Sequence, residues 1–169
     1  VLWGEGGGGG LSKCSFKDCD IGLKCAQSSS LSPSTAGPSA DSKDKPGCGI
    51  RKVSKLTCEG CGTGVSVDGG PVVALHGCHV KGGNVGFLLQ GGLGAKIVDC
   101  SASSCSSGVV KCYGGAEEAF DICGTKFVAC SKHAVEYSGG HMMLSSCVIE
   151  SCGSSESRAA VMLSCGSDV

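Results

Sequence analysis

Residues 96–115 read KIVDCSASSCSSGVVKCYGG. Cys100, Cys105 and Cys112 crowd into this stretch, and a glycine pair closes it. Taken alone, such sulfur density suggests a metal site or a disulfide knot. The neighbouring sequence gives another reading. Cys78, Cys100, Cys123 and Cys147 are separated by 22, 23 and 24 residues. Cys58 precedes Cys78 by 20, and Cys14 precedes Cys58 by 44, about two periods. A second series follows in step: Cys19, Cys61, Cys105, Cys130 and Cys152. The unit CHVKGG (78–83) has glycine at that place.

Other positions repeat with the cysteines. A short alternating apolar segment recurs as GLKC (22–25), GVSV (64–67), GFLL (86–89), GVVKC (108–112) and AVEY (134–137). Its last inward residue is expected to be Cys25, Val67, Leu89, Cys112 and Tyr137. Its inward neighbour is expected to be Leu23, Val65, Phe87, Val110 and Val135. Glycine pairs follow at 69–70, 91–92, 114–115 and 139–140, and Leu75, Ile97, Phe120 and Leu144 stand three residues before the next cysteine. Each unit of about 22 residues thus reads as short period-2 strands divided by Gly and Ser turns. Such strands are too short to stand alone, and stacked in parallel they bury one face and pair their backbones. The expectation is an all-β solenoid of about six coils. At the strand spacing of about 4.8 Å, six coils make a rod roughly 30 Å long. Recurring glycine pairs argue against helical repeats, and no L-x-x-L-x-L frame supports a leucine-rich repeat.

Units such as KIVDCSASSCSSGVVKCYGG (96–115) and MMLSSCVIESCGSSESRAAV (142–161) resemble the right-handed parallel β-helix of the pectin-lyase-like repeat type. The resemblance covers 56–165 and 11–26. It implies a fold and is nearly silent on function. One departure is the single asparagine, Asn84, where that family often builds Asn ladders; Cys and Ser fill comparable places here.

Composition narrows the function classes. The net charge of −1 gives no broad attraction to nucleic acid or anionic lipid. No apolar run approaches the roughly 20 residues that span a bilayer. Residues 1–10 lack the basic flank and apolar core of a targeting peptide. They read as a Gly-rich segment or cap before a single β-helix domain over 11–169. Gly4, Gly6 and Gly9 match G-x-G-x-x-G, but no strand precedes them and no helix follows, so no dinucleotide site is inferred. Trp3 is read as an end cap or partner contact and Tyr113 as an outward partner contact. Residues 27–47 break the period with Ser, Pro, Asp and Lys, as an inserted loop does. It is read as a solvated excursion or a segment that orders against a partner.

Chemistry finds little purchase. Cys58 and Cys61 form the one C-x2-C, without the second pair a structural zinc site needs. His76 and His79 flank Cys78, yet neighbouring strand residues face opposite ways. Arg51 and Arg158 lie far apart, and Glu117 and Glu118 are adjacent, so no carboxylate pair at a catalytic separation is inferred. The four threonines, Thr35, Thr57, Thr63 and Thr125, fall out of register, against an ice-binding face. No cofactor, metal or small-molecule ligand is expected.

Fifteen cysteines admit a disulfide scaffold, with one thiol left over. In-register Cα atoms about 4.8 Å apart fall within disulfide range, but parallel Cβ vectors leave the Cβ atoms too distant. The two series are therefore expected to be ladders of reduced thiols, packed as small apolar side chains. One is Cys14, Cys58, Cys78, Cys100, Cys123 and Cys147; the other is Cys19, Cys61, Cys105, Cys130 and Cys152. Leu75, Ile97, Phe120 and Leu144 are expected as a core ladder. The functional expectation is a non-catalytic scaffold subunit that contacts other proteins in a larger assembly. A peripheral place on an organelle membrane complex, such as an algal photosystem, is named as a setting without a motif that selects it. Two alternatives stand: an extracellular carbohydrate-binding or carbohydrate-active β-helix, and a thiol redox or metal-binding protein.

Overall fold

The computed structural model describes residues 9–26, 50–69, 72–91, 94–112, 119–139, 141–153 and 159–164. Trp3, Tyr113 and the inserted stretch 27–47 lie outside the described residues. All regular structure among the described residues is β-strand, three to a coil. The first coil holds β1 (Gly9–Ser12), β2 (Ser15–Lys17) and β3 (Ile21–Ala26). The second holds β4 (Ile50–Ser54), β5 (Thr57–Glu59) and β6 (Thr63–Asp68). The third holds β7 (Val73–His76), β8 (His79–Lys81) and β9 (Val85–Gln90). The fourth holds β10 (Gly94–Val98), β11 (Ser101–Ser103) and β12 (Ser107–Cys112). The fifth holds β13 (Ala119–Cys123), β14 (Lys126–Val128) and β15 (His133–Ser138). The last holds β16 (His141–Ser145), β17 (Val148–Glu150) and β18 (Val161–Ser164). Strands of equal rank pair in parallel, giving three six-stranded sheets around one core. This is a parallel β-helix, the all-β solenoid class that the repeat implies. Four coils have a neighbour on each side; the first and last have one.

Corners make the coil. At the first, a residue in the left-handed region is followed by one that opens the next strand pairing: Lys13, Lys55, Gly77, Asp99, Gly124 and Ser146 have φ between 50° and 61°. The second corner repeats the device at Asp18, Gly60, Gly82, Ser104, Ala129 and Ser151. The first corner is two residues long in every coil. The third varies: residues 27–49, 69–72, 91–93, 113–118 and 139–140 separate successive coils.

The strand registers correct three expectations. The core column of the first sheet is Leu11, Val53, Leu75, Ile97, Ile122 and Leu144. Phe120 belongs to its neighbour, with Val73, Ala95 and Met142. In the third sheet Val109, not Val110, aligns with Leu23, Val65, Phe87 and Val135. Lys111, not Cys112, aligns with Leu89 and Tyr137, while Cys112 pairs with Gln90. A one-residue slip reverses the facing of a strand. Here the slip comes from counting to the cysteine instead of from Gly108.

That glycine belongs to a column, Gly22, Gly64, Gly86 and Gly108, continued by Ala134. A Cβ on Gly22 would lie 2.6 Å from Cys58 Sγ, and one on Gly64 2.5 Å from Val80 Cγ1. A Cβ on Gly86 would lie 2.9 Å from Ala102 Cβ, and one on Gly108 2.5 Å from Phe127 Cδ1. The inward residue of each second strand therefore presses on the third-strand backbone, and glycine sets that narrow width. Size is balanced along the axis as well. Ala95 and Ala102 of the fourth coil pair with the bulky Phe120 and Phe127 of the fifth.

Outside, complementary polar side chains sit one coil apart. Lys24–Asp68 (3.6 Å), Glu59–Lys81 (4.0 Å), His76–Asp99 (3.4 Å), Lys96–Asp121 (3.9 Å) and Lys126–Glu150 (3.1 Å) bridge the five junctions in turn. Each exposed pair contributes little, on the order of 0–1 kcal/mol. Together they favour this stacking register over a slipped one.

Candidate interaction surface

Hydrogen bonds between coils place the cysteines. The amides of Thr57, His79, Ser101, Lys126 and Val148 donate to the carbonyls of Cys14, Leu56, Cys78, Cys100 and Thr125. The first corner column is thus Cys14, Leu56, Cys78, Cys100, Thr125 and Cys147. Cys58 and Cys123 leave the series. Cys58 is the inward residue of β5, between Phe16 and Val80, and Cys123 ends β13 beside Val98 and Ser145. The same displacement of two residues carried Phe120 into the wrong core column. At the second corner Cys19, Cys61, Cys105, Cys130 and Cys152 each follow a left-handed residue, with Gly83 in the third coil. A Cβ on Gly83 would meet the Cys61 carbonyl oxygen at 1.7 Å, which explains the gap.

These side chains do more than fill space. Cys100 Sγ lies 3.2 Å from the Val98 carbonyl oxygen and 3.6 Å from that of Leu75 in the preceding coil. Cys147 Sγ lies 3.4 Å from the carbonyl oxygens of Ser145 and Ile122. Cys78 repeats this toward His76 and Val53. Thr125 Oγ1 makes the same two approaches, 3.1 Å to the Cys123 oxygen and 3.5 Å to that of Ile97. The second corner follows suit, with Cys105 Sγ 3.5 Å from the oxygens of both Ser103 and Gly82. The position calls for a buried, largely apolar side chain, and where that side chain carries a proton it is donated to corner carbonyls. Thiol and threonine both meet it.

Cys14, Cys19, Cys58, Cys61, Cys78, Cys100, Cys105, Cys123, Cys130, Cys147 and Cys152 are free thiols. Burial pushes the Cys58 and Cys130 thiols up to about 12 and Cys105 up to about 11, so their protons stay for donation at neutral pH. The hydrogen bond between the Cys78 and Cys100 side chains, with burial added, holds Cys100 far above the ordinary thiol range. The same hydrogen bond draws Cys78 below the ordinary thiol range. Among the described residues no three His, Cys, Asp or Glu side chains gather as metal ligands.

On the outer wall near this corner, His76 pairs with Asp99 while His79 Nδ1 lies 2.8 Å from Ser101 Oγ. The carboxylate and the hydroxyl engage different imidazoles, so the four side chains form no relay. No helix among the described residues is long and apolar enough to cross a membrane.

The first and last described coils differ in part. In the first, Leu23 and Cys25 are buried and Leu11 and Phe16 half-buried. In the last, Met142 and Val161 are half-buried, while Leu144 is 37 % exposed, Ile149 36 % and Leu163 67 %. Met143, Val148 and Met162 are exposed beside them. β16, β17 and β18 are also the edge strands of their sheets. Of this surface only Leu144 was expected from the sequence, and as core. Ile149 and Leu163 carry ordinary repeat signals and differ in lying on edge strands among the described residues. No family model, no curated protein and no solved structure matches the chain.

Proposed function

We propose that this protein is a non-catalytic scaffold whose β-helix joins other proteins in a larger assembly. The observation that supports the reading is the exposed apolar set Met143, Leu144, Val148, Ile149, Met162 and Leu163 on β16, β17 and β18. Apolar sets of this kind are commonly covered by another protein. The rest of the surface supports a structural role. Its outer columns alternate in sign, Glu59 beside Lys81 and Lys126 beside Glu150, and give a saccharide no continuous acidic stripe. The likeness to the pectin-lyase-like repeat belongs to this proposal too, on the three-strand coil and the recurring corners. Size-exclusion of a native extract tests it. Elution well above the 16.7 kDa of the chain, with other proteins in constant ratio, is expected. Recovery solely as a free monomer contradicts it.

A further inference from the structure

We propose that Cys78 and Cys100 form a two-coordinate site for a soft monovalent cation, copper(I), clamped between two successive coils by one sulfur from each. Both coils have a neighbour on each side, so the site lies within the stack. It is independent of the assembly surface and needs no partner chain.

The first argument is alignment. His76 aligns with Val98 and His79 with Ser101, so Cys78 and Cys100 stand one directly over the other. Their side chains take the same pose. Cys78 Sγ lies 3.7 Å from the His76 oxygen and 3.8 Å from that of Val53. Cys100 Sγ makes the matching approaches to Val98 and Leu75, at 3.2 and 3.6 Å. A hydrogen bond already joins the two side chains. Side chains that repeat in this way hold their sulfurs about 4–5 Å apart, at the spacing of the coils. A disulfide needs sulfurs at about 2 Å. Two metal–thiolate bonds of about 2.3 Å laid end to end span about 4.6 Å. The separation that forbids the covalent bridge suits a linear S–Cu–S one.

The second argument is number. In the corner column Leu56 precedes the pair and Thr125 follows it, so the sulfurs stop at two. No group of three His, Cys, Asp or Glu side chains among the described residues completes a larger donor set. Zinc takes four ligands and calcium at least six oxygens, so neither is served. Copper(I) is selected by thiolate sulfur and accepts two ligands in line.

The third argument is surroundings. The Cys78 amide donates to Cys100 Sγ at 3.3 Å, a bond that favours a charged sulfur. Val53, Leu56, Leu75, Val80 and Ile97 are buried in the same core, an apolar shell that keeps water from the ion. At the second corner burial pushes Cys105 up to about 11 and Cys130 up to about 12, so those thiols yield their protons less readily. Loading is an exchange without electron transfer. Two S–H bonds break, two S–Cu bonds form, both protons pass to solvent, and the site is left with one negative charge.

Anaerobic titration of the purified chain with copper(I), against a competing chelator, tests this. The ion is supplied both to folded protein and during refolding, so slow entry cannot hide the site. The first equivalent should bind more tightly than later ones, release two protons and show two sulfur neighbours by X-ray absorption. Zinc(II) should not displace it. Cys78→Thr and Cys100→Thr copy Thr125 of the same column, and circular dichroism melting checks that they fold. Each should weaken the first site roughly 100-fold or more. Cys105→Ala should leave it unchanged. Absence of a tight first equivalent, three or four sulfur neighbours in the parent protein, undiminished binding in the Thr variants, or equal loss in Cys105→Ala overturns the proposal.

Discussion

At the scale of single residues, the corner position explains why sulfur recurs. The column accepts Cys, Thr125 and Leu56, so the requirement is volume and burial first, with a donated proton added. Thr125→Cys should leave the urea midpoint almost unchanged. Thr125→Ala should cost about 1–2 kcal/mol, from one lost hydrogen bond and one methyl group. Ala129, held at φ 53°, is strained for a residue with a Cβ. Ala129→Gly should raise stability by about 1 kcal/mol, read from the same titration. The buried thiols add a pH dependence. Cys58, Cys105 and Cys130 keep their protons in the fold to about 12, 11 and 12, against an ordinary 9.0. Stability from this source is full below pH 9.0 and declines as pH rises toward those values, at roughly 1.4 kcal/mol per unit for each thiol. Cys78, drawn below the ordinary value, acts in the opposite sense below 9, so the test is read above it: the melting temperature should fall as pH rises beyond about 9, and a flat profile there counts against buried protonated thiols. Alkylation after unfolding without reductant should modify at least the eleven cysteines named above as free. The two series were legible in the sequence as a period, but not residue by residue. Cys123 falls near enough to the expected spacing to displace Thr125, because spacing cannot distinguish a strand-end cysteine from a corner one.

At the scale of elements, the third strand is governed by glycine. Gly86→Ala would place a Cβ 2.5 Å from the Gly108 carbonyl oxygen, and backbone there has nowhere to retreat. It should cost several kcal/mol and lower the yield of folded protein. Gly91→Ala meets nothing within 4 Å and bears only the strain of φ 63°, so it should cost about 1 kcal/mol. Equal effects at the two sites would refute the narrow-width account. The alternation of each strand was readable because one face is core and the other solvent. Facing within GVVKC was not, since Val109 and Val110 are chemically identical and only Gly108, aligned with Gly22, Gly64 and Gly86, breaks the tie.

At the scale of the whole molecule, the parallel stack was the most legible feature, because one repeat length recurs while the residues filling it change. The exposed apolar set on β16, β17 and β18 was the least legible. Leu144, Ile149 and Leu163 look like any other inward residues until their coil proves to be the last described. The corner lengths have a practical consequence. Every coil crosses the first corner in two residues, while the third corner admits anything from 139–140 to 27–49. Within this chain one edge of the coil varies in length and another does not. Foreign peptides spliced along the variable edge would project side by side at a pitch of about 4.8 Å, like teeth on a comb. A short Gly–Ser insert after Gly91 should leave the melting temperature within a few degrees of the parent. The same insert after Gly77 should abolish folding, since it would part Cys78 from the carbonyls it caps.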